Sequence, residues 1–236
     1  STIIIGENQC ANYYAMKTLI NRYDAVKNID NVVVLTNHAK NIYTNITESV
    51  YSNIDVLSKV CKSQMSYMNR SMKKYEKFDH TLIIIDMDSM TKLNNCEAFK
   101  NIVLNGRHYN ISLIIVSSYP SHFVQNIDTV MIGKTHSDNL RNIYDEYLSF
   151  LPSYKYFKNI YDKICINDTT HLVVDQITNR RSTSDNIRYI NSYCATVRKY
   201  PRMHFNSNSK YNDRSSKTLK NAKQLNIFYN ESDDDL

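Results

Sequence analysis

Three places in this 236-residue chain put groups capable of chemistry at the ends of apolar runs. The run Thr2-Ile3-Ile4-Ile5 stops at Gly6 and leads into a helix-like stretch. Such a strand–turn–helix could cradle an anion on backbone N–H groups. A phosphate-binding turn normally needs several glycines, however, and the whole chain holds 3. The run Leu82-Ile83-Ile84-Ile85 stops at Asp86, with Asp88 two residues on. A strand ending in aspartate is common, and the plain reading of both acids is an exposed strand-end loop. The third place is Asn105-Gly106-Arg107-His108-Tyr109-Asn110-Ile111, just ahead of the apolar Leu113–Val116. The 7 histidines are isolated and show no metal-ligand spacing. No Ser-His-Asp arrangement is legible. Arg180-Arg181 sits in a polar turn, which reads either as a solvated loop or as a phosphate contact in nucleic acid.

The elements that must position these groups alternate. Thr2–Ile5, Val32–Leu35, Leu82–Ile85, Leu113–Val116, Thr129–Ile132 and Leu172–Val174 are continuous apolar, β-branched runs. They fit strands buried on both faces, as in a parallel sheet covered by helices. Ala98, Phe99, Ile102 and Val103 share one face of a helix that Gly106 can end in a left-handed cap. Leu140, Ile143, Tyr144, Tyr147 and Leu148 form the face of another. The stretch from about residue 48 to 78 reads as one or two helices, with Val56, Val60, Met65, Met68 and Met72 as core filler. Strand–helix alternation of this kind implies βαβ units.

The bulk numbers set the outer bounds. With 42% hydrophobic and 22% charged residues, the chain can fold on its own core without disulfides or metal. Its 5 cysteines (Cys10, Cys61, Cys96, Cys165, Cys194) are unpatterned, which argues for reduced thiols in a cytosol-like compartment. A net charge of +6 permits a nucleic-acid partner without demanding one. No apolar run reaches the roughly 18 residues of a membrane span. From about residue 201 the sequence turns polar and ends in Asp233-Asp234-Asp235, which predicts a disordered tail. The expected domains are therefore 1–200 and a tail, 201–236. A chain opening directly on a core strand is short of leader sequence.

Taken in order, the three segments resemble the genome-packaging ATPases of large cytoplasmic DNA viruses, poxviruses included, a branch of the FtsK/HerA superfamily. The Asn-Gly-Arg-His-Tyr-Asn-Ile run before an apolar strand, Tyr119-Pro120 and Asn126-Ile127-Asp128 carries most of the likeness. It continues through Tyr144–Tyr147, Phe157 and Leu172–Asp175, and spans about residues 2 to 200. The resemblance implies a P-loop NTPase fold in the α/β class: a mostly parallel central sheet, in order 5-1-4-3-2, flanked by helices. It also implies ATP held between subunits and used to pump DNA.

Each ATP motif is altered here. The phosphate loop needs Gly-x-x-x-x-Gly-Lys-Ser/Thr, so that N–H groups wrap the phosphates, lysine neutralises them and a hydroxyl holds Mg²⁺. The chain reads Gly6-Glu7-Asn8-Gln9-Cys10-Ala11-Asn12-Tyr13. Ala11 stands for the second glycine, Asn12 for the lysine and Tyr13 for the hydroxyl residue. Each lost charge-assisted contact costs about 2–5 kcal/mol. Asp86 holds the Mg²⁺ position, but Met87 replaces the acid that would activate water. Ser118 stands where the γ-phosphate sensor belongs, and Val124 where an arginine should reach a neighbour's nucleotide.

The expected protein is a degenerate packaging ATPase, an assembly or accessory subunit that needs no cofactor. Its partners would be viral packaging or capsid assembly proteins, with weak, sequence-independent DNA affinity and no membrane. It would act in the host cytoplasm's viral factory or in the virion, with Arg107 and His108 as an interface. The alternative is an active packaging motor using ATP and Mg²⁺, with Lys17 or Lys40 standing in for the lost lysine.

Overall fold

A computed structural model describes residues 1–38, 40–74, 79–87, 93–119, 126–176, 186–192 and 196–205, with backbone alone for 70–74. The chain divides into two units, Ser1–Met203 and His204–Leu236. The elements below all belong to the first.

Eight strands form one sheet: β1 (Thr2–Ile5), β2 (Asn31–Thr36), β3 (Val50–Tyr51), β4 (Thr81–Asp86), β5 (Ile111–Ser117), β6 (Thr129–Ile132), β7 (Thr170–Asp175) and β8 (Ile187–Asn191). Their order is β3-β2-β4-β5-β1-β6-β7-β8. Leaving out the two-residue β3, the first five apolar runs of the sequence lie in the order 5-1-4-3-2. The registers Thr2↔Ile114, Ile83↔Leu113 and Ile3↔Val130 are all parallel. The isoleucines and valines of β1, β2 and β4 are fully buried, because helices cover both faces. Those helices are α1 (Gln9–Lys27), α2 (Asp55–Lys74), α3 (Glu97–Asn105), α4 (Ser137–Tyr147) and α5 (Tyr154–Ile164). Met16 and Ile20 of α1 pack with Ile4, Val34, Ile84, Ile114 and Met131 in one core cluster.

The structure departs from the sequence reading in three places. β7 runs antiparallel to β6, with Met131 opposite Val173, and β8 runs antiparallel to β7. A continuous apolar run reports burial on both faces, and β7 is buried throughout, but it carries no direction. Gly106 is not a left-handed cap: its φ of −54° is right-handed, and the chain continues through a 3₁₀ turn, Gly106–Tyr109. Asn110 takes the left-handed role at φ 54°, as asparagine readily does. Among the described residues, the stretch from 48 to 74 contributes the short strand β3 before the helix α2. In α2 Val56 and Val60 are buried, while Met65 and Met68 are half-buried. The sequence readings that fall on Asp88, Val124, Arg180-Arg181, Cys194 and the tail beyond 205 lie outside the described residues.

Candidate functional site

Open α/β sheets bind ligands at the carboxyl ends of their strands. There Ile5 gives way to a turn of only Gly6, Glu7 and Asn8 before α1 begins at Gln9. Asn8 caps the helix by accepting from the Ala11 N–H at 3.1 Å. The Gly6 N–H donates to the Ser117 carbonyl at 3.2 Å and the Glu7 N–H to the Lys134 carbonyl at 3.1 Å. The Asn12 N–H closes the first helical bond onto Asn8. Four N–H groups of the phosphate-loop stretch are thus engaged within the protein.

Asn12 closes the turn from beneath. It is 1% exposed, and its amide Nδ2 donates to the Gly6 carbonyl at 2.6 Å. A β-carbon on Gly6 would come within 2.7 Å of Asn12 Oδ1, so only glycine fits there with Asn12 in place. Asn12 therefore points into the molecule at the position where the family pattern has an outward-reaching lysine. Deeper in, His171 is fully buried, and its Nδ1 meets Ser192 Oγ at 3.1 Å. Burial lowers the ionisation of this imidazole to about 4. Its Nε2 lies beside Gly133, where an added β-carbon would meet it at 2.9 Å.

Glu7 has become a helix cap. Its carboxylate accepts from the His136 N–H at 2.9 Å and the Thr135 hydroxyl at 3.1 Å, at the positive end of α4. His136, the residue preceding that helix, makes no side-chain cap of its own. Beside the turn, hydrogen bonds from Lys134 and Asn8 hold Asp168 below the usual carboxylate range. Two carboxylates therefore flank the surface where a polyphosphate would lie.

Asp86 ends β4 as expected, but aromatic and imidazole groups have claimed it. The Tyr43 hydroxyl donates to its Oδ2, and His38 Nε2 stands 3.6 Å from Oδ1. Burial, together with the Asp86 charge, pushes the Tyr43 hydroxyl's ionisation upward, so it stays a donor. Tyr13 packs edge-on against Tyr43 at 5.8 Å, donates to the Ile42 carbonyl at 3.0 Å, and carries Lys17 over its ring at 5.6 Å. Asn12, Tyr13, Tyr43, Asp86, Met87 and Ser118 line a cavity of about 70 Å³. A bound small molecule typically needs about 300–1,000 Å³. Among the described residues no cluster of His, Cys, Asp or Glu could hold a metal ion.

The structure thus brings Gly6, Asn12, Tyr13, Asp86, Met87 and Ser118 together. Arg107 lies at the other end of the strands, where its guanidinium donates to Asp128, and His108 is exposed on the same turn. Lys40 opens an exposed 3₁₀ turn. Sequence reasoning missed Tyr43, His38 and His171. Nothing in their local pattern announces a partner so far along the chain. The inward turn of Asn12 did leave a signal: with Ala15, Met16, Leu19 and Ile20 it falls on the buried stripe of α1.

No protein-family model matches the chain, and no curated protein matches it. Solved structures do. The genome packaging NTPase B204 from Sulfolobus turreted icosahedral virus 2, in complex with ATP-gammaS, superposes with a TM-score of 0.55 at 15% identity, over 81% of this chain and 97% of that one. The cytoplasmic domain of the Thermomonospora curvata Type VII secretion ATPase EccC gives 0.55 at 11% identity, over 81% of this chain and 25% of that one. EssC (ATPases 2 and 3) from Geobacillus thermodenitrificans gives 0.52 at 10% identity, over 98% and 45%. Identities this low speak of fold alone, and the fold is that of the P-loop ATPases. The residues at its phosphate turn do not fit ATP and Mg²⁺: the lysine position points inward, N–H groups of the turn are engaged, and a tyrosine fills the hydroxyl position. No helix among the described residues is long and apolar enough to cross a membrane.

Proposed function

We propose that this chain is a pseudo-ATPase: a P-loop fold of the packaging type that has lost nucleotide turnover and acts as an assembly or accessory subunit of viral genome packaging. One observation carries the reading. Asn12 is buried and bonded to the Gly6 carbonyl, closing the turn that phosphates would have to enter. The carboxylates of Glu7 and Asp168 beside the turn, the Tyr43 bond to Asp86 and the small cavity support it. The likeness to a structure described as a genome packaging NTPase supports the packaging context. The partners are packaging or capsid assembly proteins, met in the viral factory or the virion.

Protein association is the main interaction, and DNA binding is secondary. The first 200 residues hold 23 basic and 18 acidic side chains, an excess spread over a large surface. Tight DNA binders neutralise about six or more phosphates. Calorimetric titration with MgATP, paired with a phosphate-release assay, tests the central point. The expected outcome is no saturable heat and no Mg²⁺-dependent hydrolysis above background. Turnover that Asp86→Ala abolishes would promote the active-motor alternative.

A further inference from the structure

At the amino-terminal edge of the sheet, a strand's length from the closed turn, lies a second cavity of about 360 Å³. That volume falls within the range of small-ligand sites. Its walls come from the last turns of α1, the start of β5, the residue before β4 and the residue before β6. Two of its polar side chains are deeply buried: His80 is 2% exposed and Ser112 8%. They are joined, His80 Nε2 to Ser112 Oγ, at 2.9 Å. The Lys27 ammonium donates to the same Ser112 hydroxyl at 3.4 Å and stands 5.4 Å from the Tyr23 ring.

The charges around this cavity do not cancel. Lys27 forms no ion pair among the described residues. Asp128 is the carboxylate of the lining, and it is already answered by Arg107. Arginine has five N–H donors, and the contact to Asp128 uses one nitrogen, Nη2. What remains is a polar chamber with Lys27 unanswered, a guanidinium with donors to offer and a fixed hydroxyl. That set matches a small tetrahedral oxyanion.

We propose that this cavity binds a small phosphate-bearing anion, seated between Lys27 and Arg107 with Ser112 as its hydroxyl partner. The site lies at the opposite strand ends from the phosphate turn and uses none of its residues, so it stands whether or not the pseudo-ATPase reading does. The ligand is either free phosphate or the phosphate group of a small ester.

Calorimetric titrations with inorganic phosphate and with glycerol 3-phosphate, each against sodium chloride of matched ionic strength, test it. Saturable binding of at least one probe is expected. Its Kd should rise at least tenfold in Lys27→Gln, rise less in Lys27→Arg, which keeps the positive charge, and remain unchanged in Lys158→Gln, on a distant helix. Lys27 is exposed, so circular dichroism should show Lys27→Gln folded. The tighter probe identifies the source of the phosphate group. Heats no larger than those of chloride for both probes, or a folded Lys27→Gln that binds as tightly as wild type, would overturn the proposal.

Discussion

The two edges of this sheet are built from similar materials and end in opposite states. At the carboxyl edge, Glu7, Asn12 and Asp86 all have partners inside the protein: a helix end, a turn carbonyl, a tyrosine and a histidine. At the amino edge, His80, Ser112 and Lys27 form a chain of contacts that ends in a cation with no ion pair among the described residues. A buried polar group must be hydrogen-bonded, and a ligand is one way to satisfy it. Where the chain itself supplies the partner, the reason to bind a ligand disappears. At the turn, Glu7, Asn12 and Asp86 are each engaged by hydrogen bonds from within the protein.

The comparison breaks first at Asn12. Asn12→Lys introduces the lysine of the phosphate-loop pattern, yet the site is buried and faces the Gly6 carbonyl. We expect destabilisation of about 3 kcal/mol or more, since an unpaired charge is forced inside, and no gain of ATP binding. Urea unfolding and nucleotide titration of the variant would check both. A variant of wild-type stability that binds ATP would mean the turn can reopen.

Next comes His171, behind the same turn. Its folded ionisation lies at about 4, below the ordinary value of 6.5. Between those limits the unfolded chain takes up a proton that the native protein refuses, so stability falls as pH drops from 6.5 toward 4. The loss should reach about 2 kcal/mol between pH 7 and pH 5, by the slope for one proton. Denaturation midpoints at several pH values should show this slope in the wild type, and His171→Gln should flatten it.

Smaller effects sharpen the picture. Tyr43→Phe removes the donor to Asp86 and should cost about 1.5 kcal/mol, the range for a bond to a charged group. Glu7→Ala removes the cap of α4 and should cost about 1 kcal/mol. Both can be read from chemical denaturation. If Glu7→Ala instead raised stability, Glu7 would be a liability left from an anion site and not a working cap.

Much of the frame was legible. Runs such as Leu82–Ile85 and Leu113–Val116 are apolar without alternation, which only strands covered on both faces can use. The order of those strands came from the resemblance, since burial patterns do not say which strand lies beside which. Direction was equally silent, and β7 shows it: its sequence looks like its parallel neighbours. In the site, Asp86 and the altered loop could be named, but their new partners could not. Tyr43 reaches Asp86 across 43 positions, and only the fold brings them together. Gly106 was misread because a glycine after a helix permits a left-handed turn without requiring one, and Asn110 could take that conformation four residues later.

The placement of β1 bears on how the protein is made. The first strand of the chain is an interior one, and its neighbours are Ile114–Ser117 and Thr129–Ile132. A ribosome adds roughly 5–20 residues per second, so Ile3, Ile4 and Ile5 wait many seconds after emerging before either neighbour exists. During that interval this β-branched segment has no strand to pair with, and its apolar surface is open to non-native association.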